Sequence, residues 1–128
     1  MRRDRPIISV GIAGPPGNTL LDGRMDTGAD DTVFPERYAA SLGLTPVGAP
    51  IGQAATALQA TTRLWYAQVT LRIADNNEHR EWDAVVGFAN GLGRPLLGIA
   101  GFLEYFDLQW FGAHGIFELT VNANYPGI

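Results

Sequence analysis

The chain has 128 residues, of which 46% are hydrophobic and 17% charged, so it can bury one core and is too apolar for a disordered tail. Gly (16) and Pro (8) are frequent, which favours turns over long helices and predicts one mainly β domain over residues 1–128. The net charge of −4 argues against nucleic acid as the main partner, and the absence of Cys and Lys excludes disulfides, thiolate nucleophiles, Schiff-base lysines and P-loop lysines.

The N-terminal part of the chain reads as a hairpin followed by a polar loop. Residues 1–10 resemble a signal peptide only weakly, because the apolar stretch is short, and they predict the start of a first strand. Residues 7–13 and 19–25 predict two strands joined by the Gly/Pro-rich turn 14–18. Residues 26–32 then predict a tight polar loop.

The next part predicts a short helix and an extended arm. Residues 35–42 favour a helix, since Pro35 suits the first helical turn and Gly43 suits the position after the last one. Residues 44–60 contain several Pro, Gly and small residues, and they predict an extended, mobile hairpin arm.

The C-terminal half alternates more regularly. Apolar and polar residues alternate in 61–73, most strictly near its end, and residues 79–88 predict the partner strand. Residues 99–106 predict a second short helix. Residues 107–110 and 116–121 predict a last hairpin. No apolar run approaches the ~18 residues that a membrane helix needs.

Several kinds of site are disfavoured by spacing. His79 and His114 are far apart in the sequence and lie in a strand and a turn, so a metal pair is not expected. A calcium loop counted from Asp26 needs Gly at its sixth position and Glu at its twelfth, where the chain has Asp31 and Arg37. The sequence therefore predicts no metal and no cofactor.

The tripeptide Asp26-Thr27-Gly28 remains as a candidate for chemistry. Gly28 can bring its N–H close to the Asp26 carboxylate, and Thr27 can form a hydrogen bond back to the scaffold, so the acid would be held rigidly. The alternative is a local turn, because Asp and Gly dominate turns for purely local reasons. On the tripeptide alone, the local turn is the simpler interpretation.

The residues after the tripeptide change this interpretation. They extend it to the nonapeptide Asp26-Thr27-Gly28-Ala29-Asp30-Asp31-Thr32-Val33-Phe34. This nonapeptide closely resembles the active-site segment of the retroviral-type aspartic proteases, the retropepsins. Later in the chain, Leu96-Leu97-Gly98 resembles the family's element that crosses behind the catalytic loop and leads into a helix. The resemblance spans residues 7–121 and implies a closed, barrel-like retropepsin fold, mainly β, with one or two short helices.

The resemblance implies an aspartic endopeptidase in which a pair of carboxylates activates water. Two such groups about 3 Å apart share one proton, so one acts as base and the other as acid. The chain has one Asp-Thr-Gly, so the second acid would come from another copy. The enzyme would be a homodimer with Asp26 of each subunit on the two-fold axis, flanked by Thr27 and Gly28.

Substrate would lie extended beneath two flaps, for which residues 51–57 are the candidate. Gly28 and Asp30 would bind its main chain. The candidate substrate-binding residues are Ala29, Asp30, Gly52, Gln53, Val86 and Ile99, with Val33 as a further apolar subsite.

Two features depart from the family. The candidate flap is poorer in glycine than many family flaps, which leaves its contacts open. Many viral members have Arg where this chain has Ile99. Asp30 would then pair with another cation, such as Arg24 or Arg94, or face substrate unpaired.

The alternatives are a non-catalytic peptide-binding or dimerisation module on the same fold, or an unrelated β-barrel with an accidental loop. The expected partners are a peptide or protein substrate and a second copy of the chain, with no nucleic acid and no membrane. The lack of Cys is compatible with a reducing compartment, and we expect a cytoplasmic protein.

Overall fold

A computed structural model describes residues 1–3, 5–55 and 61–128, so the predicted flap residues 56 and 57 lie outside the described residues. The described part is mainly β, as predicted. Its strands are β1 (Arg2–Arg3), β2 (Ile7–Gly14), β3 (Gly17–Met25), β4 (Val33–Pro35), β5 (Ile51–Ala55), β6 (Thr61–Ala74), β7 (His79–Ala89), β8 (Leu96–Leu97), β9 (Phe106–Phe111) and β10 (Ile116–Val121).

The strands form two sheets. The larger sheet has seven strands in the order β2-β3-β8-β4-β7-β6-β5, and β2 pairs with β6 as well as with β3. Through this second pairing, β2 at one end of the order is also hydrogen-bonded to β6, which lies near the other end. The smaller sheet has the order β1-β10-β9 and joins the first strand of the chain to the last.

The first hairpin forms as predicted. β2 and β3 pair from Ile7↔Arg24 to Gly14↔Gly17, which leaves a two-residue turn between them. Ile8, Val10 and Ile12 are buried at alternate positions of β2, because successive side chains of a strand point to opposite faces. The alternation read from the sequence thus places this face of β2 in the core.

The second pair of long strands, β6 and β7, also forms as predicted. They are antiparallel from Trp65↔Phe88 to Ala74↔His79. Buried aromatic rings pack along the inward face of β7: Phe88 stacks on Trp65 at 4.7 Å between ring centroids, and Trp82 meets Phe102 edge-on at 5.4 Å. Each fully buried large apolar side chain stabilises the fold by about 2–3 kcal/mol relative to exposure.

The predicted helix over 35–42 is wrong in type and length. Two 3₁₀ turns, Glu36–Tyr38 and Ala40–Leu42, occupy the segment, and Pro35 belongs to β4, where it pairs with Ala89. The predicted stop is correct, since Gly43 adopts a left-handed conformation with φ of 74°.

The predicted helix over 99–106 shortens to the 3₁₀ turn Leu103–Tyr105. Gly101 has φ of 88°, which a right-handed helix cannot accommodate, and Phe106 already begins β9. Among the described residues, no helix is long and apolar enough to cross a membrane.

The predicted extended arm contains β5, which pairs with β6 as a hairpin, for example at Gln53↔Arg63. The last predicted hairpin is present as β9 and β10.

The C-terminal tail, residues 122–128, closes over one edge of β7. The Tyr125 ring packs on Trp82 at 5.9 Å between centroids, and its hydroxyl accepts a hydrogen bond from the Glu81 amide at 2.9 Å. Ile128 and Glu81 exchange backbone hydrogen bonds of 3.1 and 3.3 Å. The tail therefore pairs briefly with β7 at Glu81, on the side of β7 that faces away from β6.

Candidate active site

Asp26 comes directly after β3, and the structure holds its backbone in place. Its amide donates to the carbonyl oxygen of Leu97 in β8 at 3.0 Å. Its own carbonyl oxygen accepts a hydrogen bond of 3.2 Å from the Ala29 amide, which closes a tight turn. The half-buried side chain is thus presented from the end of a strand whose last residue, Met25, lies in the core.

The Asp26 carboxylate is oriented by its own loop, as the tripeptide predicts. The Gly28 amide donates to Asp26 Oδ1 at 2.9 Å. A Cβ at position 28 would lie 3.2 Å from the same oxygen, so glycine makes this close approach possible. Within the described residues of one chain, Asp26 Oδ2 has no hydrogen-bond donor, and it remains available for other groups.

Thr27 does not form the predicted bond to the scaffold: it is exposed, and its hydroxyl has no partner in the described part of the chain. Thr32 anchors the loop instead and is 1% exposed. Its amide donates to Ala100 at 3.1 Å, its carbonyl accepts from Gly87 at 2.9 Å, and its hydroxyl makes a longer contact of 3.4 Å with the Gly98 carbonyl. Thr32 thus has the anchoring role that the sequence predicts for Thr27.

The two residues of β8 lie between the strands that flank the loop. Leu96 and Leu97 pair in parallel with Arg24 and Met25 of β3. Leu96 also pairs with Val33 of β4. β8 therefore crosses behind the loop and fills the gap between its two ends.

Gly98 continues this crossing at very short range. A Cβ at this position would overlap the Asp31 carbonyl oxygen and would lie 2.7 Å from that of Ala29. The next residue, Ile99, donates its amide to the same Ala29 carbonyl at 2.9 Å. Only glycine allows the two backbone segments to approach this closely.

A cleft of about 150 Å³ opens beside the loop. It brings together Gly28, Ala29, Asp30, Gln53 and Val33, all named from the sequence. Asp31 and Leu96 complete its lining. The cleft is small compared with the ~300–1,000 Å³ of a typical ligand pocket.

Three predicted substrate-binding residues lie elsewhere. Gly52 packs against the ring of Tyr66, one residue from the cleft-lining Gln53. Ile99 is 42% exposed and touches the loop through its backbone. Val86 is 1% exposed within the core, so its side chain does not reach the cleft of a single chain. Alternation explains this position, since Val86 lies on the inward face of β7.

Asp30 has no cationic partner among the described residues. Neither Arg24 nor Arg94 lies within ion-pair distance, and the ion pairs that do form involve other carboxylates, those of Glu78 and Glu118. In the single chain the Asp30 carboxylate is therefore unpaired, and it does not form the ion pair with Arg24 or Arg94 that the sequence also allows.

Tyr66 is a site residue that sequence reasoning missed. Its hydroxyl donates to Asp31 Oδ2 at 2.9 Å. Burial raises the pKa of Tyr66, and the hydrogen bond to Asp31 and the charge of Asp31 raise it further. In the sequence Tyr66 is only one apolar position of a strand, because nothing local indicates that β6 passes the loop.

The rest of the described chain offers a larger groove and no metal centre. The groove, of about 580 Å³, lies away from Asp26 and is lined by β2, β3, β6 and β7. Over residues 1–3, 5–55 and 61–128, no three His, Cys, Asp or Glu side chains group closely enough to hold a metal ion.

Comparisons of the chain with protein-family models and with curated protein sequences found no match.

Proposed function

We propose that the chain is an aspartic endopeptidase that works as a homodimer. The observation that carries the proposal is the Asp26 carboxylate itself. One of its oxygens is held by the Gly28 amide, and the other is free of donors within the described residues. A carboxylate held in this way by the cleft-lining Gly28 suits a role as general base toward water.

The strand arrangement around the loop supports a retropepsin-type, barrel-like fold. β8 lies between β3 and β4, the two strands that flank the loop, and the strand order returns from β6 to β2. These features agree with the resemblance of the nonapeptide and of Leu96-Leu97-Gly98 to the retropepsins. We infer the closed barrel from this combination.

The reaction needs two acids. The ionised carboxylate takes a proton from water, and the resulting hydroxide adds to the scissile carbonyl carbon while the protonated carboxyl gives its proton to the carbonyl oxygen. The tetrahedral intermediate then collapses: the C–N bond breaks, the nitrogen leaves with a proton from the first carboxyl, and one hydroxyl of the intermediate returns its proton to the second carboxylate. Both acids thereby regain their starting states. Each proton transfer of this kind contributes ~10²–10⁴-fold in rate.

The second acid is best supplied by another copy of the chain. Asp31 is a poor candidate because its carboxylate already accepts the Tyr66 hydroxyl. The cleft of about 150 Å³ is too small to enclose several residues of a peptide. A second copy related by a two-fold axis would add both a carboxylate and a second wall.

A peptide in an extended conformation is the substrate class that fits. The cleft offers main-chain groups of Gly28, the unpaired carboxylate of Asp30, and apolar surface from Ala29, Val33 and Leu96. Backbone groups of the peptide would bind the polar atoms, and alternate side chains would enter the apolar positions.

A digest of a peptide library tests the proposal. The wild-type protein is incubated across acidic to neutral pH, with and without pepstatin, a transition-state mimic of this class, and cleavage is followed by mass spectrometry. We expect cleavage that pepstatin blocks. Asp26→Asn should reduce it by at least ~10²-fold, because Asn cannot act as base or shared acid.

Asp107→Asn is the matched control, since Asp107 is exposed on β9 and its carboxylate makes no hydrogen bond in the described part of the chain. It should cleave like wild type. Activity of Asp26→Asn within tenfold of wild type would reject the assignment. A folded dimer that cleaves nothing would favour the non-catalytic peptide-binding module.

A further inference from the structure

Tyr66 contacts both the candidate flap strand and the active-site loop. Its backbone amide donates to the carbonyl oxygen of Pro50 at 2.9 Å, just before β5 begins. Its hydroxyl reaches Asp31 Oδ2 at 2.9 Å. One residue of β6 therefore connects two elements that lie on different sides of the cleft.

Gly52 makes room for the Tyr66 ring. A Cβ at Gly52 would lie 2.6 Å from the Tyr66 hydroxyl oxygen and 2.8 Å from Cε2. Gly52 has no positive φ, so space for the ring, and not backbone conformation, accounts for it. A Cβ at Gly87, the residue opposite Tyr66 on β7, would make only an ordinary van der Waals contact of 3.5 Å with Cε1.

The acceptor of this hydrogen bond belongs to the wall of the cleft. Asp31 lines it together with Asp30 and Gln53. The residue after it, Thr32, is anchored in the core, so the free motion left to Asp31 is that of its side chain. The Tyr66 hydroxyl removes that motion, and it does so as a neutral donor, because burial and Asp31 raise the Tyr66 pKa above its ordinary 10.0.

We propose that Tyr66 is a positioning residue that ties the β5 strand to Asp31 and so sets the width of the substrate cleft. This inference rests on the proposed function for its effect on peptide hydrolysis. Tyr66 acts on substrate through Asp31 and through the β5 strand above it. Its removal should therefore weaken substrate binding more than it slows the chemical step.

Steady-state kinetics of three variants test the proposal, with active sites counted by pepstatin titration. For Tyr66→Phe we expect KM to rise about tenfold with kcat within about twofold, since a hydrogen bond to a charged group is lost outside the reacting atoms. Gly52→Ala should act in the same direction, because the added Cβ displaces the hydroxyl. Tyr38→Phe is the control: the Tyr38 hydroxyl makes no hydrogen bond in the described part of the chain, and both constants should stay unchanged.

A double-mutant cycle separates the tie from a general loss of packing. If Tyr66 acts through Asp31, Tyr66→Phe adds nothing to the KM of Asp31→Ala. Asp31→Asn, which keeps an oxygen acceptor, should retain a KM closer to wild type than Asp31→Ala does. Additive effects in the cycle, or a Tyr66→Phe protein with a lower Tm and an unchanged KM, would overturn the proposal.

Hydrogen exchange at the amide of Gly52, which faces Leu64 of β6, tests the tie independently of peptidase activity. We expect this amide to exchange faster in Tyr66→Phe than in wild type and in Tyr38→Phe. Equal exchange in all three proteins would overturn the tie even if the wild-type protein cleaves peptides. Absence of cleavage together with faster exchange would instead count against the endopeptidase and keep the tie.

Discussion

At the scale of single residues, Gly98 shows how a missing side chain holds the candidate site together. Its backbone passes so close to the carbonyl groups of Ala29 and Asp31 that any Cβ would collide with them. Both obstacles are backbone atoms that are themselves fixed by hydrogen bonds, for example from Ile99 to Ala29. They cannot move aside as the end of a flexible side chain would.

Gly98→Ala should therefore destabilise the fold by about 3 kcal/mol or more, at or above the upper end of ordinary overpacking. Urea unfolding followed by tryptophan fluorescence measures the change. Gly93→Ala is the matched control, because no heavy atom lies within 4 Å of its added Cβ and its φ is not positive. Equal stability of the two variants would contradict the crossing of β8 behind the loop.

Asp30 gives a second prediction at this scale. Its exposed carboxylate has no cation within reach in the described structure, so the fold gains nothing from it. If it binds the substrate main chain, Asp30→Ala should raise KM more than it lowers kcat and should leave Tm unchanged. A drop in Tm with an unchanged KM would show instead that Asp30 has a structural partner.

Residue roles could be predicted where they depend on neighbours in sequence. The contact between the Gly28 amide and Asp26 spans two residues, and the tripeptide predicts it correctly. The anchoring by Thr32 and the hydrogen bond from Tyr66 depend on strands distant in sequence, and no local pattern indicates them. Val86 lies in the core of the single chain, and the sequence does not distinguish this position from a subsite because an apolar side chain suits both.

At the scale of elements, strands were more predictable than helices. The alternation in β2 and β6, which is strict only near the end of β6, needs only the local sequence, and their partners follow from short turns. The predicted helix over 35–42 is only eight residues long, and isolated helices of this length are marginal, so tertiary contacts decide. Here β4 takes Pro35 into the sheet, and two 3₁₀ turns remain.

The C-terminal tail supports a prediction about its own contribution. Tyr125 packs on Trp82 and Phe106 and holds the Glu81 amide. Tyr125→Ala should cost about 2 kcal/mol, below the ~3–5 kcal/mol of a fully buried aromatic, since the ring is half-buried. Chemical denaturation measures it.

Ile128→Ala is the control for the tail. The Ile128 side chain is 81% exposed, and its pairing with Glu81 uses only backbone atoms, so stability should not change. A tail that merely rests on the surface would make the Tyr125→Ala and Ile128→Ala proteins equally stable.

At the scale of the whole molecule, each chain supplies a single Asp26, and this determines how many chains an active enzyme needs. If two chains share the reaction, no monomer is active, and specific activity falls on dilution below the dimer dissociation constant. Mixing is a sharper test. Equal amounts of wild type and Asp26→Asn, after full exchange, give about a quarter wild-type dimers under random pairing.

Activity should then settle near a quarter of that of wild type at the same total concentration. The mixed dimers keep one carboxylate, which cannot serve as base and proton donor together. Subunit exchange is verified by native mass spectrometry of a mass-labelled variant. A value near one half would show that each chain works alone and would exclude the shared site.

The pairing of the first strand with the last also affects how fast the chain folds. Arg2 and Glu118 are 116 positions apart and lie in paired strands, and Asp26 takes its backbone support from Leu97. Folds dominated by such distant pairings form in milliseconds to seconds, more slowly than helical bundles of similar size. During synthesis, the Asp26 loop leaves the ribosome long before β8 exists to support it. A nascent chain therefore carries the nonapeptide before the backbone support from Leu97 is in place. If the chain is the proposed endopeptidase, it gains activity only after β8 has joined the sheet.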